Sequence, residues 1–169
     1  SGTGLTRFEK VFPARFLDIG IAEGHAAAMA AGLAKQGALP VFAVYSSFLQ
    51  RAYDMLIHDV SLQDLHVGFA VDRAGLVGND GETHHGVFDV SYLSTVPGMT
   101  IMCPASFSEM HDMLRHALFE VKGPVAVRYP RGGEGEYKQS RLEAESVLRE
   151  GTDVTIVCYG TMVNNALAA

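Results

Sequence analysis

The chain has 169 residues, of which 48% are hydrophobic, and 13 Lys and Arg against 19 Asp and Glu give a net charge of −6. This composition excludes an intrinsically disordered chain, and the interspersed charges offer no basic stripe to a nucleic-acid backbone. No apolar run approaches the ~20 residues of a membrane span, and no signal-peptide pattern opens the sequence. The length suits about one domain with its own core.

The two cysteines and the two ends of the chain add further expectations. Cys103 and Cys158 both lie inside apolar runs, which predicts buried thiols in a reducing compartment and therefore a cytoplasmic location. The sequence starts at Ser1 without Met and stops at Ala169 within a helical pattern. These ends predict a piece of a longer protein.

Short apolar, β-rich runs alternate with longer helical patterns along the whole chain. In chain order, the first half predicts a strand at 15–20, a helix at 23–36, a strand at 40–45, a helix at 48–62 and a strand at 67–71. A polar glycine-rich loop follows at 72–86. The second half predicts strands at 100–103 and 125–129 on either side of a helix, and a further strand at 154–159. The helix between the last two sheet strands starts with a capping box, Ser106 to Glu109. This order predicts an α/β fold with a parallel sheet and helices on both faces.

Charged and aromatic residues follow the predicted strands, at the edge where parallel sheets bind ligands. Together, the carboxylates, imidazoles and arginines there indicate a site for an anionic substrate. Taken alone, each has a plainer explanation: Glu23 suits a helix N-terminus, and Asp80 suits a turn. No histidine pair has i,i+4 spacing and no cysteine pair has CxxC spacing, so no metal ligands are predicted.

Six motifs in order carry a resemblance to a known family. They are DIGIAEGHA at 18–26, YSSFLQRAYD at 45–54, HDV at 58–60, DRAG at 72–75, GNDGETHHG at 78–86 and VRYPRG at 127–132. The chain from about residue 8 to residue 132 resembles the 1-deoxy-D-xylulose-5-phosphate synthases, which are thiamine-diphosphate enzymes of the transketolase group. The family usually has glutamine where this chain has Gly24.

The resemblance implies a transferase reaction and its cofactors. Pyruvate and D-glyceraldehyde 3-phosphate would condense to 1-deoxy-D-xylulose 5-phosphate and carbon dioxide, a precursor for isoprenoid, thiamine and pyridoxal biosynthesis. The cofactors would be thiamine diphosphate and Mg²⁺, with the metal site expected in a diphosphate-binding domain outside this chain. A cytoplasmic homodimer is expected, and this piece alone is expected to be inactive because the cofactor site lies between two domains.

The resemblance also implies roles for individual residues. Glu23 would be catalytic by hydrogen-bonding the cofactor pyrimidine, and Phe48 would stack on that ring. Tyr45, Asp80 and His84 would line the substrate, with His84 as a second catalytic residue that carries a proton. The substrate phosphate would be bound by three arginines, Arg51, Arg73 and Arg131.

The same resemblance divides the chain into three parts. Residues 1–132 would be a transketolase-like pyrimidine-binding domain that lacks its N-terminal part, 133–146 a linker, and 147–169 the start of a transketolase C-terminal domain. Two alternatives stay open. One is another enzyme of this cofactor class, a transketolase or the β-type subunit of a 2-oxo acid dehydrogenase, and the other is a non-catalytic α/β module that binds an anionic metabolite.

Overall fold

Four parallel strands form the sheet at the centre of the molecule. The computed structural model describes residues 2–143 and 145–169, so Ser1 and Ala144 lie outside the described residues. The strands are β1 (Val41–Tyr45), β2 (Gly68–Asp72), β3 (Thr100–Met102) and β4 (Val125–Arg128), in the spatial order β1-β2-β4-β3. The register places Tyr45 beside Asp72 and Val71 beside Arg128. The carboxyl ends of β1, β2 and β4 therefore meet at one edge.

Seven α-helices accompany the sheet in the described part of the chain. They are α1 (Thr6–Val11), α2 (Glu23–Lys35), α3 (Ser46–Leu49), α4 (Tyr53–Met55), α5 (Asp89–Leu93), α6 (Phe107–Phe119) and α7 (Met162–Ala168). Within residues 2–143 and 145–169, no helix has the length and apolarity needed to cross a bilayer.

Helices cover both faces of the sheet, as predicted. Side chains alternate along a strand, so neighbouring residues face opposite sides. Phe69 of β2 packs into the larger core with α2 and the helical segment after β1, whereas Val125 and Val127 of β4 pack against α6. A Cβ at Gly68 would lie 3.1 Å from the Leu118 side chain, which brings the end of α6 close to β2. The predicted α/β architecture is confirmed.

The predicted helix at 48–62 is present in a more irregular form. Helical turns run from Ser46 to Gln63, but they alternate between α, 3₁₀ and π geometry. Leu49, Ala52, Leu56 and Val60 are fully buried along this segment. Their spacing of three or four residues keeps one face on the core despite the changes in helix type. At the start of α6 the predicted N-cap forms, since the Ser106 hydroxyl accepts a hydrogen bond from the Glu109 backbone N–H at 3.0 Å, while the Glu109 carboxylate accepts from the Ala105 N–H at 2.6 Å.

Two predicted strands, at 15–20 and 154–159, are wrong. Neither segment forms a strand, and neither pairs with any of the four sheet strands in the described part of the chain. Leu17 is 61% exposed and Val157 is 91% exposed, so their apolar side chains face no sheet. A β-rich run becomes a strand only where a neighbouring strand pairs with its backbone groups. The division at 1–132, 133–146 and 147–169 stays a prediction.

Candidate active site at the carboxyl edge of the sheet

One end of the candidate site is built on the first turn of α2. Glu23 is the first residue of this helix, and its Oε1 accepts a hydrogen bond from Arg51 Nη1 at 2.7 Å. The Arg51 guanidinium also lies over the Phe48 ring, 4.8 Å from the ring centroid. A carboxylate at a helix N-terminus is stabilised by the unpaired backbone N–H groups there. Glu23, Arg51 and Phe48 therefore form one contact group, called here the carboxylate end.

Aromatic rings form the middle of the site. Tyr45, the last residue of β1, stacks on Phe48 with centroids 5.4 Å apart and planes inclined by 21°. The His84 ring stands edge-on to Phe48 at 5.2 Å and lies 6.1 Å from Tyr45. Thr83 contacts His84 Nδ1 at 3.0 Å, and the Tyr45 hydroxyl donates to the Gly2 carbonyl at 2.7 Å. The three rings thus line one surface, on which a flat or small polar ligand can lie.

Two arginines and one aspartate form the other end, called here the arginine end. Asp80 accepts hydrogen bonds from Arg73 Nε at 3.0 Å on one oxygen and from Arg131 Nη1 on the other. The Arg73 guanidinium lies 3.9 Å from the Tyr45 ring centroid. Asp80, together with Asp72, which also binds Arg73, balances the charge of the two arginines, whose guanidinium groups supply forked donors at this end. Such forked donors are suited to phosphate or carboxylate oxygens.

Arg73 is held in an unusual backbone conformation. Its φ of 59° lies in the left-handed region, which side-chain-bearing residues rarely adopt. Asp72 binds it twice, accepting from the Arg73 backbone N–H at 2.7 Å and from Nη1 at 2.6 Å. Burial lowers the pKa of the Arg73 guanidinium, but Asp72 and Asp80 outweigh burial, so its pKa lies above the usual value. Arg73 therefore stays charged and fixed.

A close backbone contact brings the loop that carries Asp80 and His84 to the sheet. Gly75 and Gly86 exchange two backbone hydrogen bonds of 2.7 and 2.8 Å, which close the loop at its base. A Cβ at Gly86 would lie 2.3 Å from the Arg73 carbonyl oxygen and 2.4 Å from the Ser46 hydroxyl. Position 86 therefore requires glycine. The long loop predicted at 72–86 is ordered by this contact and by short 3₁₀ turns at Gly78–Asp80 and Glu82–His84.

All eight residues that the sequence selected lie in one connected series. Its members, in order of contact, are Glu23, Arg51, Phe48, Tyr45 with His84, Arg73, Asp80 and Arg131. The series joins residues separated by up to about a hundred positions in the chain because the parallel strands end at one edge. Their individual roles stay predictions, but their proximity is a feature of the structure.

The family model described as transketolase, pyrimidine binding domain, matches residues 1–134. The chain belongs to this family.

Curated relatives and solved structures extend the match over the pyrimidine-binding domain and beyond. A 1-deoxy-D-xylulose-5-phosphate synthase of Chlorobium luteolum is 57% identical over 175 residues, covering 100% of this chain and 28% of the relative. One of Clostridium acetobutylicum is 54% identical over 172 residues, covering 98% of this chain and 28% of the relative. The chain thus spans 28% of the length of these two relatives.

Among solved structures, the one titled "Split gene transketolase, inactive beta4 tetramer" matches with a TM-score of 0.85 and 32% identity, over 99% of this chain and 56% of that one. A transketolase of Campylobacter jejuni matches with a TM-score of 0.61 and 24% identity, over 66% of this chain and 18% of that one. The second likeness supports the fold alone.

The sequence analysis left three charged residues of the pyrimidine-binding domain out of its site. Asp72 binds Arg73 as described, and its position directly before Arg73 was the available signal. Asp89, the first residue of α5, accepts two hydrogen bonds from Arg128, at 2.9 Å from Nε and 3.2 Å from Nη2. These two residues are 39 positions apart, and no motif joins them. Only the fold brings them together, beside the arginine end of the strand edge.

Gly24 stands where the family usually has glutamine, and the structure gives it a packing role. A Cβ there would lie 3.2 Å from the Met55 methyl group, tighter than an ordinary contact. The neighbour is the flexible end of the Met55 side chain, so a larger residue would need only a small shift of that side chain. Glu23, immediately before Gly24, contacts Arg51 on the neighbouring helical segment.

Proposed function

We propose that this chain forms the pyrimidine-binding part of a 1-deoxy-D-xylulose-5-phosphate synthase. The protein would use thiamine diphosphate to condense pyruvate with D-glyceraldehyde 3-phosphate. The observation that carries the proposal is the connected series of eight residues, which places a carboxylate and a flat ring at one end and two arginines at the other. The names of the relatives that match the whole chain support the same assignment.

The carboxylate end suits the pyrimidine ring of thiamine diphosphate. A planar guanidinium already lies over the Phe48 ring, so this ring accepts a flat, polar partner. Glu23 Oε2 has no hydrogen-bond partner in the described part of the chain, and it can bond a ring nitrogen. When bound, thiamine diphosphate supplies the carbon chemistry that decarboxylates pyruvate and joins the remainder to an aldehyde. Glu23 would share a proton with the pyrimidine nitrogen, and Phe48 would orient the ring.

The arginine end suits the phosphate of the aldehyde substrate. Arg73 and Arg131 are both bound to Asp80, which fixes the direction of their guanidinium planes. Charge-assisted bonds from two guanidinium groups would bind the dianion and orient its carbon chain toward the rings. Tyr45 and His84 lie between the two ends, where the reacting carbons would be.

His84 is the residue proposed to carry a proton in this middle region. An imidazole changes its protonation state within the physiological pH range, which suits transfer to or from the aldehyde oxygen. Thr83 contacts its Nδ1, and this contact leaves Nε2 as the ring nitrogen available to a substrate. Magnesium, a homodimer, a cytoplasmic location and the phosphate contact of Arg51 all stay predictions from the resemblance.

The test is pyruvate consumption by the native protein that carries this chain, with thiamine diphosphate and Mg²⁺, in the presence and absence of D-glyceraldehyde 3-phosphate. We expect turnover that depends on the phosphorylated aldehyde. Glu23→Ala should lower kcat by at least about a hundredfold, the usual loss when a group that moves a proton is removed. Glu150→Ala, which removes an exposed glutamate far along the chain from the site residues, is the matched control and should leave kcat unchanged.

Two results would contradict the proposal. Transfer from a ketose phosphate donor without consumption of pyruvate would assign the protein to the transketolases. Binding of a phosphorylated metabolite without any turnover would assign it to the non-catalytic binding modules.

A further inference from the structure

The three arginines of the site fall into two separate groups. Arg73 and Arg131 both bind Asp80 at the arginine end. Arg51 instead binds Glu23 and lies over Phe48, at the carboxylate end. The stacked rings of Tyr45 and Phe48 stand between the two groups. An interpretation in which all three arginines bind one phosphate would join two groups that share no partner in this structure.

The partner of Arg51 is the more buried member of the pair. The Glu23 side chain is only 11% exposed, whereas the Arg51 side chain is 54% exposed. Without a cation, Glu23 would keep a poorly hydrated charge, which costs more than exposing a surface arginine. The electrostatic balance therefore favours an arginine that stays with Glu23.

The contact has a direct consequence for the carboxylate. Arg51 Nη1 occupies Oε1 of Glu23, and this bond fixes the rotation of the carboxylate group. Oε2 is left as the oxygen with free acceptor capacity among the described residues. The contact of Arg51 with Phe48, in contrast, involves a half-exposed side chain in a ring stack of modest strength. The contact with Phe48 is therefore the weaker of the two contacts that Arg51 makes.

We propose that Arg51 is a positioning residue for Glu23 at the pyrimidine-binding end, and that it does not bind the substrate phosphate. This inference rests on the proposed function, because it concerns the cofactor end of that site. Arg51 holds Glu23 so that one oxygen points to the ligand, and it yields the face of Phe48 to the ligand ring.

The experiment compares Arg51→Met with Arg73→Met in the native protein. Calorimetry measures the Kd of thiamine diphosphate in the presence of Mg²⁺, and steady-state kinetics measure kcat and the KM of D-glyceraldehyde 3-phosphate. We expect Arg51→Met to raise the cofactor Kd by about tenfold, the loss typical of one charge-assisted hydrogen bond, and to lower kcat while the aldehyde KM stays unchanged. Arg73→Met should show the reverse, with a raised aldehyde KM and an unchanged cofactor Kd.

A conservative variant separates positioning from folding. Arg51→Lys keeps a cationic donor and should recover part of the cofactor affinity, whereas a loss caused by misfolding alone would not depend on the charge at position 51. Thermal unfolding followed by circular dichroism checks that all variants are folded.

The remaining outcomes separate failure of the inference about Arg51 from failure of the proposed function. A raised aldehyde KM with an unchanged cofactor Kd in Arg51→Met would make Arg51 a phosphate ligand and overturn the inference alone. Tighter cofactor binding would mean that Arg51 merely competes for the Phe48 ring, and it would also overturn the inference. If the unmutated protein binds no thiamine diphosphate, both the proposed function and the inference about Arg51 fail.

Discussion

Two groups of carboxylates and arginines lie at the same edge of the sheet and differ mainly in their exposure. In the first, Asp89 and Arg128 form a forked pair in which the Asp89 side chain is 1% exposed. In the second, Asp80 lies between Arg73 and Arg131, and its side chain is 20% exposed while that of Arg131 is 44% exposed. The charges are of the same kind, but in the second group Arg131 is open to solvent and can exchange its partner with a ligand. The comparison separates charges that hold the fold from charges that are available to bind.

The surroundings of the buried pair support this division. Arg128 Nη1 also contacts the Cys103 sulfur at 3.8 Å, and its guanidinium lies 5.8 Å from the Tyr159 ring. Burial raises the pKa of the Cys103 thiol, against the opposing effect of Arg128. The pair therefore joins α5 to the end of β4, and its guanidinium group reaches the half-exposed Tyr159 of the C-terminal segment.

The largest effect that the comparison predicts is the loss of stability in Asp89→Ala. This change leaves the Arg128 guanidinium buried without a counter-ion, which should lower the free energy of unfolding by about 3–5 kcal/mol. Urea unfolding of the native protein, followed by circular dichroism, measures the difference.

The matched variant in the second group, around Asp80, is Arg131→Met. Because solvent screens this pair, its removal should change the free energy of unfolding by less than about 1 kcal/mol. Equal losses in the two variants would show that exposure does not separate the two groups.

The same contrast explains how much of the molecule could be predicted from its sequence. The sheet strands and α2 agree with the sequence within a residue or two, because their patterns are local and their apolar sides are buried. The run at 15–20 has an equally good local pattern, yet no strand lies beside it. Local pattern thus identified a candidate strand but could not supply the neighbour that pairs with it.

The site residues were likewise predictable only where a local sequence pattern marks them. The eight selected residues come from motifs that are contiguous in the chain, and parallel topology brings their ends together. Asp89 lies in none of the six motifs, and Arg128, although part of the motif at 127–132, has no local signal that points to Asp89. Their pairing depends on the position of α5 against β4, which no local signal encodes. The pairing of Arg51 with Glu23 was missed for the same reason, since Glu23 lies 28 positions away on another helix.

An intermediate effect is expected for Gly86→Ala, which acts on the loop that carries Asp80. The added methyl group would overlap the Arg73 carbonyl oxygen and the Ser46 hydroxyl, and backbone cannot move aside as a flexible side chain can. We expect a loss of about 1–3 kcal/mol in the free energy of unfolding. The loop should also shift, so the affinity for phosphorylated substrate should fall.

Gly133→Ala is the control for this variant, because a Cβ at Gly133 meets nothing within 4 Å. Its free energy of unfolding should stay within about 0.5 kcal/mol of the unmutated protein. If Gly86→Ala were equally neutral and substrate affinity were unchanged, the loop would not depend on the close contact at its base.

The smallest expected effect concerns the pH dependence of stability and is absent at neutral pH. Two tyrosines, one beside each group, allow the two groups to be compared. Burial and Asp89 raise the pKa of Tyr92, whereas burial and Asp72 raise the pKa of Tyr129 to about 12 from an ordinary value of 10.0. Between the two pKa values the folded chain keeps a proton on Tyr129 that the unfolded chain releases. The contribution of Tyr129 to stability is therefore complete below pH 10 and is lost as the pH rises toward about 12.

Tyr129→Phe should therefore flatten the fall in stability across this window and leave the part that depends on Tyr92. Urea unfolding at a series of alkaline pH values measures the slope, and the ultraviolet absorbance of phenolate reports which ring ionises. Tyr129 reports on the group around Arg73 and Tyr92 on the group around Asp89, so the two slopes compare the two surroundings directly. An unchanged slope in Tyr129→Phe would mean that water reaches this ring freely and that the environment of Asp72 and Arg73 is more open than their contacts indicate.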